Sequence, residues 1–204
     1  MTISTFSTLK SAVADWLDRD DLDMAIDTMI GMVEAEVYRS LRVPEMESAL
    51  SVALSGGVAA KPADFLEAKY TYMDSNPVNP IEWKSSDWII RNYPTRSSTG
   101  LPSFAAISGS DIIFGPYPDG DYTLSGVYYA KPTALSLSNE TNFLVEDHPD
   151  LLLYGALAHS AGYVGQDERS QYWGAQFQSA LTQIQAQGGA QKFPSDIPLR
   201  AVPG

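Results

Sequence analysis

The feature that most limits what this chain can fold into is a three-part division of its hydrophobic patterning. Helical periodicity occupies residues 1–46 and returns after Asn139, while the stretch between reads as short strands broken by turns. Near the N-terminus, Leu9, Val13 and Trp16 recur at helical spacing with Leu17 beside them. A longer pattern follows through Leu22, Ile26, Met29, Ile30, Val33, Val37 and Leu41. Apolar residues spaced this way fall on one face of a helix. Asp20, Asp21 and Asp23 precede the second helix and Arg39 and Arg42 end it, which suits the helix macrodipole. Pro44 closes the segment.

After Asn139 the same grammar resumes. Pro149 fits a first helical position, with Asp147 or His148 as the cap before it. Leu153, Leu157, Ala161 and Val164 form one face until Gly165. Asp167 opens a last helix whose buried side is Trp173, Phe177, Ala180, Leu181 and Ile184, and Gly188-Gly189 stops it. Trp16, Tyr154, Trp173 and Phe177 fall on helix faces and read as core.

Between these pairs lie β-type runs at Ala49–Leu54, Phe65–Met73, Phe104–Ser108, Asp111–Phe114 and Tyr122–Ala130. Gly56-Gly57 and Gly109-Ser110 look like tight connections, and Asp119-Gly120 has turn chemistry. Ser86–Tyr93 reads as a helical turn. Neither helix pair can hide its apolar stripe alone, so the two must share a core. The expected fold is α+β: a small helical bundle from residues 1–46 and 139–187, with a β-rich insertion at 47–138. Residues 188–204 contain three prolines and no periodicity, and read as an extended C-terminal arm.

Composition removes most chemistries. The chain has no cysteine, which excludes disulfides, thiol nucleophiles and Cys-based zinc sites, and only two histidines, His148 and His159. His159 and Ser160 are adjacent on a helix, so their side chains diverge by about 100° rather than forming a nucleophile–base pair. His159 reads as a core-edge or interface residue and His148 as part of a helix cap. No G-x-S-x-G, Walker A, G-x-G-x-x-G or H-E-x-x-H occurs. Asp119-Gly120-Asp121 lacks the ligand series of a calcium loop, and the run Asp15, Asp18, Asp20, Asp21, Asp23 reads as a solvated helix junction. No metal or cofactor is expected. Among the 25 acidic residues a carboxylate pair for glycoside hydrolysis, or an aromatic sugar platform, stays open as an alternative.

A net charge of -12 argues against gripping nucleic acid through phosphate neutralisation. It also gives a wall past which a polyanion slides without sticking. No apolar run approaches the ~20 residues needed to cross a bilayer, and the N-terminus shows no signal-peptide core.

The stretch from Lys61 to Ala161 resembles the head-to-tail adaptors (head-completion or gatekeeper proteins) of tailed phages. Lys61-Pro62-Ala63-Asp64-Phe65-Leu66-Glu67 is similar to that family's Pro-x-Asp-aromatic lead into a strand. Gly100-Leu101-Pro102-Ser103-Phe104-Ala105-Ala106-Ile107, then DIIFGPYPDGDYTLSGVYYAKP, resembles its G-x-P strand, its Pro-x-Pro-Asp-Gly hairpin and its Tyr-Tyr strand end. LSLSNETNFLVEDHPDLLLYGALAHSA resembles the capped Leu/Ala-rich helix with which the chain re-enters the bundle. The resemblance implies a non-enzymatic virion subunit made in the host cytoplasm and placed at the head–tail junction. It implies a ring of copies, expected to be a dodecamer assembled from monomers, beneath the portal protein and joined to a tail or nozzle protein. DNA would pass through its centre without sequence-specific binding. Another neck or tail component is the nearest alternative. On this view Phe193, Ile197, Leu199 and Val202 in the arm would touch the portal or a neighbour. Trp83, Trp88, Tyr93 and Tyr128 would be candidates for the subunit interface.

Overall fold

The structure, a computed structural model, describes residues 2–95, 97, 99–164 and 168–190. Helices α1 (Phe6–Leu17) and α2 (Asp23–Ser40) are followed by a 3-10 turn at Pro44–Met46. Strands β1 (Glu47–Ala53), β2 (Val58–Ala60), β3 (Phe65–Met73), β4 (Asn79–Pro80) and β5 (Glu82–Trp83) come next. Then follow α3 (Ser86–Asn92), β6 (Phe104–Ser108), β7 (Asp111–Gly115) and β8 (Thr123–Ala130). The last described elements are α4 (Phe143–Asp147), α5 (Pro149–His159), α6 (Ala161–Val164) and α7 (Glu168–Ala190). The fold is α+β, and it divides into two compact units, residues 1–45 with 133–204 and residues 46–132.

In the helical unit, α1 begins where Thr5 caps it. The Thr5 hydroxyl accepts from the Thr8 N–H at 3.2 Å and the Thr8 hydroxyl accepts from the Thr5 N–H at 2.9 Å, a reciprocal capping box. The periodic residues are buried as their spacing requires: Leu9 and Val13 on α1, then Ile26, Met29, Ile30, Val33 and Val37 on α2. Helix α5 is apolar around most of its circumference, with Leu151, Leu152, Leu153, Ala156 and Leu157 all buried. Such a helix must be surrounded, and α5 packs against α1, α2 and α7. Each fully buried leucine contributes about 1.5–3 kcal/mol relative to solvent exposure. Gly155 lets the neighbours close in, since a Cβ there would meet Val33 methyls at 2.7 and 2.8 Å and the Phe177 ring at 3.0 Å.

In the β unit, one sheet runs β1-β8-β3-β4 and the other β2-β7-β6-β5, with only β5–β6 parallel among these pairs. The β1–β8 register pairs Glu47 with Tyr129 through to Ala53 with Thr123. The β6–β7 hairpin turns across Gly109-Ser110 with Ser108 opposite Asp111. Inward residues of both sheets form one core, including Leu50, Phe65, Met73, Ala105, Ile112, Phe114 and Leu124. Between Ala68 and Tyr70 the β3–β8 register shifts, and opposite it a Cβ on Gly126 would lie 2.2 Å from the Tyr70 carbonyl oxygen. Only glycine permits so close a backbone approach.

Several expectations need correction. Trp16 is not core: it is 47% exposed and touches Tyr154 edge-on at 6.2 Å, because it sits at the flank of the α1 stripe. Gly188 does not stop the last helix, which continues to Ala190, with Gly188 packed under Val43. Gly56-Gly57 makes a tight turn closed by a Ser55–Val58 bridge, yet β1 and β2 belong to different sheets. His148 is positioned as the cap of α5 but its side chain makes no capping hydrogen bond. The helix from Pro149 breaks at Ser160, whose hydroxyl turns back to the Leu157 carbonyl at 2.7 Å. Gly165 and Asp167 lie outside the described residues.

Candidate functional site

The first polar feature of the helical unit is a buried carboxylate. Glu34 sits on the inner side of α2 and is only 3% exposed. It accepts from the Tyr38 hydroxyl at 3.0 Å, the Asn142 side-chain amide at 2.9 Å and the Leu135 N–H, which lies 3.2 Å from each oxygen. Burial, followed by the Glu34 charge, raises the Tyr38 pKa well above that of an ordinary phenol. Asn142 also accepts from the Leu144 and Val145 N–H groups and so caps α4. One carboxylate therefore ties α2 to the segment that returns from the β unit.

The same returning segment docks on the start of α1. The Glu140 carboxylate accepts from the Ser7 N–H at 3.0 Å and the Ser7 hydroxyl at 2.8 Å, and the Glu140 carbonyl accepts from the Phe6 N–H at 2.7 Å. The Ser7 backbone bond, then its hydroxyl bond, holds the Glu140 pKa below the usual carboxylate range. Beyond these anchors the loop projects Leu137, which is 72% exposed.

The α1–α2 corner is acidic. An open cleft of ≈ 370 Å³ is lined by Ala14, Asp15, Asp18, Arg19 and Asp20. Arg19 holds Asp21 through two bonds of 2.6 and 2.7 Å, which lowers the Asp21 pKa. Lys10 pairs with Asp27 at 2.6 Å and lies 3.7 Å from Asp23. Burial works against the Lys10 ammonium, yet Asp27 and Asp23 raise its pKa. Among the described residues no cluster of His, Asp and Glu could hold a metal ion.

The four aromatic residues expected at a subunit interface are engaged within the β unit itself. Tyr128 is buried, stacked on Phe65 with ring centroids 5.3 Å apart, and its hydroxyl donates to Asp64 at 3.1 Å. Trp83 is half-buried and its indole N–H donates to the Thr71 hydroxyl at 3.0 Å. Trp88, half-buried, lies 4.9 Å from Phe104 with the Lys84 ammonium 5.4 Å from its ring. Half-buried Tyr93 covers Gly115, where a Cβ would come within 2.5 Å of the ring. Phe193, Ile197, Leu199 and Val202 lie outside the described residues. His159 lies 3.3 Å from Glu36 at the edge of the helical unit. The exposed apolar residues include Met24, Ile90, Leu137 and Tyr172; Leu137 stands alone among polar residues, while the other three sit beside apolar neighbours that are buried or half-buried.

The sequence that builds the helical unit and the β unit matches a known family. The family model described as SU10 adaptor protein matches residues 4–197. The chain belongs to the SU10 adaptor protein family, a family of phage head-to-tail adaptors. The match spans both units, so the helical segments at either end and the β unit between them are parts of one adaptor. No curated protein matches the chain. This adaptor is thus a structural phage protein by family, and among its described residues no helix is long and apolar enough to cross a membrane.

Proposed function

We propose that this adaptor assembles as a ring beneath the portal, joins it to the tail or nozzle protein, and leaves a central channel for DNA. It does so without catalysis. The observation that carries the reading is the family match, which takes in nearly the whole chain rather than one module. Charge supports it. The helical unit holds sixteen of the 25 acidic residues but seven of the 13 basic ones, while the β unit holds nine and six. An acidic lining repels phosphates and lets a duplex pass without adhering. The helical bundle shared by the two chain ends is the ring-forming body on this reading, and the ring is dodecameric, assembled from monomers in the host cytoplasm before it enters the virion. The arm beyond Ala190 supplies Phe193, Ile197, Leu199 and Val202 as apolar anchors among prolines, suited to an extended groove on the portal or a neighbour. Trp83, Trp88 and Tyr93, already half-buried, add only their outer edges to any subunit contact.

The test is to mix the purified chain with its cognate portal and follow the mixture by size exclusion and negative-stain imaging. A stacked double ring, formed only when both are present, is the expected result. A chain that stays monomeric beside an intact portal ring would overturn the reading in favour of another neck or tail component. Replacing Phe193, Ile197 and Leu199 together by alanine is expected to abolish the complex while leaving the melting temperature unchanged. Full assembly by that variant would remove the arm from the portal contact.

A further inference from the structure

Helix α7 spans 23 residues, and from Ser170 to Ala190 it contains no Asp, Glu, Lys or Arg. Its solvent side is therefore made of neutral groups: Gln171, Tyr172, Ala175, Ser179, Thr182 and Gln185 are all exposed. A surface helix ordinarily places its charged residues there. The exposed side of α2 carries a second charge-free stripe, Met24, Thr28, Gly31, Met32 and Ala35, over about 16 Å of helix. Met24 on it is 87% exposed.

Glycine supplies an independent sign. It is the poorest helix former after proline, so a mid-helix glycine asks for a reason. Gly155 has one inside the chain, against Val33 and Phe177. Gly31 on α2 and Gly174 on α7 have no described atom within 4 Å of the place a Cβ would take. The space beside them is free for another backbone.

Resting on the ring reading above, we propose that these two faces are the halves of one repeated contact: the neutral side of α7 packs on the α2 stripe of the next copy. The occupant is a second copy because of charge. Molecules carrying -12 each repel one another least where the meeting surfaces carry no charge. A basic partner would be drawn to the acidic α1–α2 corner instead. Glutamine, serine and threonine side chains both donate and accept, so they satisfy another neutral surface without a charged partner. Gly31, Thr28 and Ala35 admit a close helix, while Met24 and Met32 offer adaptable apolar contact. The two faces differ, which makes the contact heterologous. A heterologous contact builds a ring where its rotation closes, whereas a self-paired face stops at a dimer.

Ala35→Glu on α2 and Ala175→Glu on α7 each place a charge on an exposed position. In the presence of portal, both are expected to lose ring formation on imaging, with the circular dichroism and melting temperature of the free chain unchanged. Gly31→Ala is expected to raise the melting temperature and weaken assembly. Because the chain has no cysteine, an Ala35→Cys, Ala175→Cys double variant can be cross-linked with a flexible bismaleimide. The expected product is a ladder of multimers up to the full ring, with no cross-link from either single variant. Intact rings from both charged variants, or dimers from Ala175→Cys alone, would overturn the pairing and leave the adaptor reading standing. No ring from the wild-type chain with its portal would remove that reading, and this inference with it.

Discussion

Replacing Glu34 tests whether the returning segment is held to the helical unit by the contacts described. Its carboxylate receives three donors: the Tyr38 hydroxyl, the Asn142 amide and the Leu135 N–H. A hydrogen bond to a charged acceptor contributes about 1.5–3 kcal/mol net, and an orphaned buried donor costs about 1–3 kcal/mol. Removing the carboxylate also relieves the cost of holding a charge out of water, which offsets part of this. Asn142 keeps a second acceptor in the Thr133 carbonyl at 3.2 Å, so its loss is the smaller one. The Leu135 N–H gives both its bonds to Glu34, so the balance for Glu34→Ala is a loss of about 2–4 kcal/mol. For a chain of this size that lowers the melting temperature by about 5–15 °C.

Differential scanning calorimetry, with chemical denaturation for the free energy, is the assay. Glu34→Gln keeps the shape but turns an amide against the Leu135 N–H, so it is expected to fall between wild type and alanine. Asn142→Asp separates the two duties of that residue, since an aspartate still caps α4 yet sets a second carboxylate beside Glu34. A carboxylate there would be held protonated in the fold, so this variant should be weakest at neutral pH and recover as pH falls. A loss below about 1 kcal/mol for Glu34→Ala would refute the claim that the buried carboxylate anchors this segment.

Gly155→Ala forces a methyl against Val33 and Phe177; overpacking of about 1–3 kcal/mol outweighs the helix-propensity gain of about 1 kcal/mol, so denaturant midpoints should fall. Trp16→Ala removes a half-exposed ring that meets the Tyr154 ring edge-on, and is expected to cost about 1 kcal/mol or less rather than the 3–5 of a core tryptophan, measured by urea unfolding. The Glu140 carboxyl titrates below its unfolded value, so its contribution is present above the unfolded pKa and disappears as pH drops through the folded one. The difference in melting temperature between wild type and Glu140→Gln should therefore shrink between about pH 5 and pH 3; a gap that widens there would reverse the assignment.

What was legible in the sequence is what local periodicity carries. Leu9, Val13, Ile26, Ile30, Val33 and Val37 announce α1 and α2 by spacing alone, and each is buried. The runs Phe65–Met73, Phe104–Ser108 and Tyr122–Ala130 likewise mark where β3, β6 and β8 lie. What was not legible depends on partners far away in the chain. Ser55-Gly56-Gly57-Val58 specifies a turn, but nothing local says that β1 pairs with β8 while β2 pairs with β7. Glu34 looks like one more solvated acid on a helix until donors 101 and 108 residues later converge on it. The aromatic residues show the same limit from the other side. Trp83, Trp88, Tyr93 and Tyr128 look like interface residues by type, yet each meets a ring or a glycine of its own unit.

The candidate assembly surface was the least legible of all, because its signal is what a helix omits. Periodicity finds the buried side of α7 through Trp173, Phe177, Leu181 and Ile184, and the outer side then goes unread as generic solvent-facing polarity. Only with the buried residues assigned does it emerge that the outer side is neutral from Ser170 onward in a chain this acidic. Solubility calls for charge on such a face, and the rest of the helical unit supplies it freely at the α1–α2 corner. A charge-free stripe on α2, bounded by exposed Asp27 and Arg39, and a neutral outer side on α7, each with an otherwise unexplained glycine, suit close packing of like-charged copies.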